Sequence, residues 1–354
     1  WIRYSYVHTN SQEILAPMNY MLRTTKMFWV VTAAVLSLMW FSPCLQAIDL
    51  DRTDVKEFVA ELAGTYQFDP VYVQTALSES KSKDSILKAI SSPAERTKRW
   101  HEYRAIFLTP ERIHAGTKFW QKHQEILNQA ESATGVPAEM LVGIIGVESY
   151  FGRQTGGYRV IDALATLSFD YPPRSKFFRS ELVQLFLLAW EEHFDLQNLK
   201  GSYAGAMGPP QFIPSSYRSY AVDGNSDGQR NLFTDWDDIL NSVANYFAAH
   251  NWQPGQPVTA RGTLGNKATD PPVNNGLRPK ETVASLSASG VMFATDLDGS
   301  APAQLMMLEG NSGPEYWVGF HNFYVITRYN RSILYALAAF QLGRAVALSA
   351  AQGP

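Results

Sequence analysis

Cysteine is almost missing from this chain. Cys44 is the only one in 354 residues, so no disulfide can form within it and stability has to come from core burial. Positive charge is not in excess either: the formal net charge is -3, which provides no basic field for a nucleic-acid backbone and argues against that partner. The seven histidines (His8, His101, His114, His123, His193, His250 and His321) are scattered. None of them pairs at helical ligand spacing, which argues against zinc. Internal repeats and long low-complexity segments are absent too. Aromatic rings are plentiful, with nine Trp and seventeen Tyr; flat apolar faces suit sugar binding and core packing equally.

A long apolar run occurs near the start. Met27 to Phe41 follows Arg23 and Lys26, is too short and too early for a membrane span, and reads as an export signal. Residues 1–17 read as an upstream extension, with Met18, Met21 or Met27 as the start. Two processing readings stand. Cys44 lies where a bacterial lipoprotein carries its lipidated cysteine, which gives an outer-membrane anchor, although Pro43 in "FSPC" replaces the usual small residue. Cleavage after Ala47 in "LQA" instead releases a soluble periplasmic protein. The anchored form is preferred, and a periplasmic monomer is expected from both.

Along the rest of the chain, spacing of apolar residues by three and four marks helices from Thr53 to about Thr134, as in "DVKEFVAELAGTYQ" and "PERIHAGTKFWQKHQEILNQAESA". Residues 135–251 continue mainly helical, interrupted by the Gly/Pro-rich loops "RQTGGYRV" and "KGSYAGAMGPPQFIPSS". Residues 252–322 change character: "PVTARG", "AQLMML" and "EYWVGF" read as strands between turns. A last helix, 330–350, then rejoins the helical segment 48–134. The expectation is a mainly α protein with a small β module inserted before its final helix.

One carboxylate stands out. In "GVPAEMLVGIIGVESYFG", Pro137 suits a first helical turn, and Leu141, Ile144, Ile145 and Phe151 form a core-facing stripe. Glu148 follows Ile144 by four and precedes Phe151 by three, so it shares that face. A carboxyl among apolar side chains tends to hold its proton, as a general acid requires. The competing reading is a structural ion pair or a cap for a neighbouring helix.

Three further stretches carry polar chemistry. "DGNSDGQ" sets Asp223, Asn225 and Asp227 at alternate positions before Gly228, as in the opening of a calcium loop; Gln229 offers its backbone carbonyl. Thr234 replaces the bidentate Glu of the twelfth position, with Asp235, Asp237 and Asp238 just beyond. The alternative is an Asx-rich turn. In "GSYAGAMGPPQFIPSSY", Gly205, Ala206 and Gly208 strip the backbone for close approach, and Gln211 offers an amide; a tight packing turn is the rival. In "FYVITRYNRSILY", Tyr329, Asn330 and Tyr335 gather two phenols and an amide, with Asn330 also a candidate N-cap.

Together these segments resemble the membrane-bound lytic murein transglycosylase B family. The resemblance runs from about Val55 to Leu348 and rests on "GVPAEMLVGIIGVESYFG", "IDALATLSFDYPPR", "GSYAGAMGPPQFIPSSYRSYAVDG", "SVANYFAAHNW" and "NFYVITRYN". It implies a lysozyme-like helical core, a second helical domain, a small inserted β domain and an EF-hand-like calcium site. The activity it implies is cleavage of the β-1,4 bond between N-acetylmuramic acid and N-acetylglucosamine in peptidoglycan, leaving 1,6-anhydromuramic ends. No organic cofactor is implied. On that resemblance Glu148 is the catalytic acid, and Tyr103, Arg174, Ser202, Gln211, Tyr246, Tyr329, Asn330 and Tyr335 contact sugar. The calcium ligands would be Asp223, Asn225, Asp227, Gln229 and a distal Asp; Asp238 is preferred to Asp237 by its place before "ILNSVANYF". Departures from the pattern are Pro209 and Pro210 in the loop and Pro173 in "YPPR".

Ordinary glycosidases use two carboxylates. Here the helix of Glu148 has only Glu139 besides, about two and a half turns back. One acid suffices if the substrate brings its own nucleophiles, with Ser149 and Ser202 as candidate hydrogen-bond partners. A hydrolytic muramidase and a non-catalytic peptidoglycan scaffold are the rival readings.

Overall fold

In a computed structural model, residues 46–91, 98–266, 272–273 and 276–352 are described. The export signal and Cys44 lie outside the described residues. Gln46–Ala47 (β1) pairs antiparallel with Lys81–Ser82 (β2), so the folded body takes in two residues that cleavage after Ala47 would remove. Between these strands run Thr53–Tyr66 (α1) and Pro70–Ser78 (α2); Asp84–Ser91 (α3), Trp100–Phe107 (α4), Pro110–Lys122 (α5) and Gln124–Thr134 (α6) follow. Their starts are written locally. Asp69 and Thr109 each precede a proline at the first helical position and accept backbone N–H groups of the first turn.

Ala138–Ser149 (α7) is the centre of the molecule. Pro137 is its N-cap, one position earlier than the sequence suggests, with φ -60° and ψ 140°. The helix is also more than a striped one: Met140 through Gly146 are all buried, not only the positions on one face. The last helix, Ile333–Ala351 (α14), causes this. A Cβ on Gly143 would stand 2.2 Å from the Ala339 carbonyl oxygen, and one on Gly343 would stand 2.0 Å from that of Glu139. The two backbones therefore touch where they cross, which only glycine permits. α14 is long and apolar enough to cross a membrane by composition; packing on α7 accounts for its apolar face.

Beyond α7, a short Tyr158–Arg159 strand (β3) pairs with Lys200–Gly201 (β4), enclosing Val160–Phe169 (α8) and Ser175–Glu191 (α9). Pro214–Tyr220 (α10) and Trp236–Ala249 (α11) complete this part. Two buried carboxylates hold it together. Glu181 accepts from Ser215 N and Oγ at the start of α10, at 2.9 and 2.7 Å, and Asp162 pairs with Lys83 and Arg159 at 2.7 and 2.8 Å.

The strand-rich segment is an antiparallel sheet. Thr259–Leu264 (β5), Glu281–Thr282 (β6), Val291–Met292 (β7), Pro302–Gly310 (β8) and Gly313–Gly319 (β9) lie in the order β6-β8-β9-β5-β7. The three main strands coincide with the runs read from sequence; β6, β7 and the Val283–Ala288 helix (α12) were too short to announce themselves. Leu305, paired with Val318, faces a small core with Leu286 and Phe320, whereas Met306 and Leu308 belong to the main helical core. Glu315 ties the sheet to α4, accepting from Trp100 Nε1 at 3.2 Å. From β9, His321–Tyr329 (α13) carries the chain back to α7, where α14 begins.

Candidate active site

Glu148 is the last residue but one of α7, half-buried, at the end where free carbonyl dipoles disfavour further negative charge. The chain then makes an abrupt exit. Tyr150, Phe151 and Gly152 are left-handed in succession, with φ 51°, 58° and 81°; for the two non-glycine residues this costs on the order of 1–2 kcal/mol each. Packing sustains the strain. Phe151 folds back over Gly146, where a Cβ would meet its ring at 2.8 Å, and lies 5.5 Å from Phe119. Ser149 Oγ accepts from Gly152 N at 3.0 Å. Arg112, on α5, donates to the Gly146 carbonyl at 2.9 Å and stacks on Tyr150 at 4.6 Å, placing a cation on the negative end of α7.

Opposite Glu148 stands the start of α14. The Tyr335 hydroxyl donates to Glu148 Oε1 at 2.5 Å. Burial first, and the Glu148 charge second, push both the Tyr335 and Tyr329 phenols well above their ordinary range. They remain protonated donors whenever a carboxyl titrates. The Tyr335 donor stabilises the carboxylate form of Glu148.

An aromatic wall continues from Tyr329. Its hydroxyl donates to the Pro210 carbonyl at 2.6 Å, and its ring lies 4.8 Å from Tyr246 and 5.8 Å from Phe212. The glycine-rich loop is closed by Ser202, whose Oγ accepts from Ala204 N and Ala206 N, and by reciprocal Met207–Phe212 backbone bonds. Gln211, itself at φ 51°, donates from Nε2 to Thr155 O at 3.1 Å and Gly208 O at 2.8 Å, joining the two Gly/Pro-rich loops.

The acidic loop is also ordered. Asp223 accepts from Asp227 N and Gly228 N at 3.1 and 2.8 Å, and Asn225 Oδ1 accepts from Asp227 N at 2.9 Å. Asp238 is fully buried and takes Gly224 N at 2.7 Å and Asn231 N at 2.6 Å, so it bridges the two ends of the loop. Asp235 caps α11 instead of standing in the loop, while its other oxygen meets the Asn225 amide at 2.9 Å. Among the described residues no three His, Cys, Asp or Glu side chains gather tightly enough to hold a metal by themselves. A cation here would draw on the Asn225 amide oxygen and a backbone carbonyl as well, as the alternating pattern provides.

Residues 51–344 match the transglycosylase SLT domain family. The chain is 42% identical over 313 residues to membrane-bound lytic murein transglycosylase B of Escherichia coli K12, covering 85% of each. It belongs to the lytic murein transglycosylase family. Among solved structures, the catenated lytic transglycosylase SltB1 from Pseudomonas aeruginosa superposes with TM-score 0.81 at 48% identity, covering 84% of this chain and 98% of that one. Escherichia coli Slt35 in complex with calcium gives 0.79 at 42% identity, covering 86% and 96%. Pseudomonas aeruginosa SltB3 in complex with NAG-anhNAM-pentapeptide gives 0.72 at 29% identity, covering 81% and 77%. The chain is thus a peptidoglycan lytic transglycosylase with the lysozyme-like, mainly α fold expected.

Not every residue expected at this transglycosylase's site faces it. Glu148, Tyr335 and Tyr329 come together. Asn330 ends α13, and its amide has no partner among the described residues; the N-cap of α14 is Ser332, not Asn330, because Ser332 Oγ accepts from Tyr335 N at 3.2 Å. Ser149 is buried, its hydroxyl spent on the turn after α7, so it does not present itself to a sugar. Tyr246 is buried as well: its hydroxyl donates to Arg328 O at 2.6 Å, and its ring supports Tyr329 from behind. Tyr103 lies buried near Tyr335 with its ring on Phe107. Arg174 is exposed on a separate turn, stacked on Phe177 at 4.3 Å. Sequence reading missed Arg112, since nothing local in "PERIHAG" says that one arginine reaches the far helix.

Proposed function

We propose that Glu148 is the single acid and base of this transglycosylase. It protonates the glycosidic oxygen between N-acetylmuramic acid and N-acetylglucosamine as positive charge grows at the muramyl anomeric carbon, which the 2-acetamido oxygen stabilises from the opposite face. The carboxylate then removes the proton of the C6 hydroxyl, which closes on that carbon and leaves a 1,6-anhydromuramic end. Atoms balance without water. The observation carrying this reading is the Tyr335–Glu148 hydrogen bond at the strained end of the central helix. Tyr329, Asn330, Gln211 and Ser202 line the glycan path, with Arg174 toward its exposed end; Ser149, Tyr246 and Tyr103 act by supporting the wall.

Calcium is proposed as a structural ion. Asp223, Asn225 and Asp227 side chains, the Gln229 carbonyl and Asp238 would hold it; the hard-oxygen donor set, with Gly228 at φ 90°, fits such a cation. The ion would tie the loop to α11, which also carries Tyr246. We further propose three structural domains: the helical segment 48–134 joined by helix 330–350, the catalytic core 135–251, and the β module 252–322. The protein works in the periplasm as a monomer, anchored to the outer membrane through Cys44. The β1–β2 pairing supports processing at Cys44, because cleavage after Ala47 would remove β1.

Glu148→Gln tests the chemistry. Wild-type protein on isolated sacculi should release anhydromuropeptides by mass spectrometry, and the variant should release none while still binding. Products heavier by one water would make the enzyme a muramidase, and silence from wild type would make it a scaffold.

A further inference from the structure

The exit of α7 leaves one carbonyl without its helical partner. In a continuing α-helix the Tyr150 N–H would bond the Gly146 carbonyl, four positions back. It bonds the Ile145 carbonyl instead, and so does the Phe151 N–H at 3.2 Å. The Gly146 carbonyl is taken up from another helix, by Arg112 Nη1 at 2.9 Å. The same guanidinium lies over the Tyr150 ring at 4.6 Å. Gly146 and Tyr150 bracket Glu148, two positions to either side. One side chain therefore grips both ends of the short segment that carries the carboxyl.

Arg112 is itself well seated. Its backbone N–H donates to Thr109 Oγ1 at 3.2 Å in the cap of α5, and its guanidinium lies over the Phe107 ring at 5.1 Å. Among the described residues it forms no salt bridge, and burial lowers its pKa. A half-buried cation with no anion beside it costs folding free energy, which the two rings offset only in part. Arginine also suits the place better than lysine, because its plane stacks on a ring while an N–H at its edge reaches the carbonyl. These features point to a task in the site beyond packing.

The strain at the exit supplies that task. Tyr150 and Phe151 are left-handed, and such strain persists only where surrounding groups hold it. Without Arg112 the Tyr150 N–H is free to return to the Gly146 carbonyl, and the left-handed turn unwinds. The Glu148 carboxyl then shifts relative to the Tyr335 hydroxyl, which lies 2.5 Å from it.

We infer that Arg112 is the positioning residue of Glu148, an inference that rests on the reading of Glu148 as acid and base. It touches no substrate, and it acts on the reaction by fixing the exit of α7 and so the aim of the carboxyl.

The test uses the full chain with Arg112→Met and Arg112→Lys, assayed on soluble glycan strands at a temperature where thermal melts show each variant folded. Arg112→Met should lower kcat about thirtyfold, the scale of a sub-ångström misplacement of a reacting group, with KM within about twofold of the parent. Arg112→Lys keeps an N–H donor for the Gly146 carbonyl but loses the stack, so it should recover about tenfold of that loss. In a Glu148→Gln background, Arg112→Met should bind strands as tightly as Glu148→Gln alone. A kcat equal to the parent's overturns the positioning role, and so does a rise in KM at constant kcat, the mark of a lost substrate contact. A loss no larger than the unfolded fraction explains, or an equal loss in both variants, also overturns it and leaves a structural brace. Should Arg112→Met fail to fold, Arg112→Lys decides alone: a kcat about threefold below the parent at constant KM upholds the role, and parental kcat overturns it. Should Glu148→Gln itself turn over strands, the acid–base reading falls. Should that variant be silent while both Arg112 variants match the parent, only the positioning role falls.

Discussion

Tyr335 and Glu148 are 187 positions apart in sequence, yet the tyrosine hydroxyl lies 2.5 Å from the carboxyl oxygen. Tyr335→Phe keeps the ring and removes only this donor. We expect kcat on sacculi to fall by about a hundredfold, the scale of losing one preorganised donor, with little change in KM. Tyr329→Phe, which breaks only the bond to Pro210, should cost less. Unchanged turnover in the Tyr335 variant would remove this hydrogen bond from the mechanism.

The contact depends on how closely α7 and α14 cross. Gly343→Ala would drive a methyl group to 2.0 Å from the Glu139 carbonyl oxygen, and the backbone there cannot yield as a side-chain tip would. A loss of about 1–3 kcal/mol is expected from overpacking, read as a lower urea midpoint. Activity should fall further than stability, because separating the helices draws Tyr335 from Glu148. A variant as stable and active as the parent would show that the helices part freely.

Calcium should stabilise the protein by mass action, about 2.7 kcal/mol at a hundredfold excess over its Kd. Magnesium, smaller and more demanding in geometry, should do much less. Thermal melts with calcium and with chelator measure this, and Asp223→Asn or Asp227→Asn should reduce the response. Melts that ignore calcium in the parent protein would dismiss the site.

Stability should also depend on pH through a buried ring. His123 packs between Phe119 and Trp236, at 4.6 and 4.9 Å, and burial, helped by the Lys122 charge, draws its pKa from 6.5 down to about 4. The unfolded chain therefore binds a proton between those values that the folded chain refuses. The resulting stability is complete above pH 6.5 and is lost as pH falls toward 4. His250, also lowered by burial, adds in the same direction. His123→Gln should flatten the fall in melting temperature between pH 7 and pH 4; an equally steep fall would place the titration elsewhere.

The buried carboxylates show how far such reading extends. Periodicity marks Glu148 as sharing a core-facing helix, but Glu181 is buried more deeply and serves only to seat the start of α10. Helical spacing alone cannot separate the two, since what differs is the partner: Ser215 and its backbone for one, a phenol beside a wall of rings for the other. Similar logic explains Ser149 and Tyr246. Both sit in the expected motifs, yet their hydroxyls are committed to Gly152 N and to the Arg328 carbonyl.

Sequence by itself determined what short-range physics controls: the helices with their spacing, the three main strands, the alternating oxygens of the acidic loop, and a carboxyl near the end of an apolar helix. Tertiary structure decided which groups that carboxyl meets. Tyr335 reaches Glu148, Arg112 the Gly146 carbonyl and Tyr329 the Pro210 carbonyl from segments that no local pattern links, because a hydrogen bond between distant positions depends on where two backbones cross. That crossing is set by glycines whose missing Cβ has meaning only against the opposite helix.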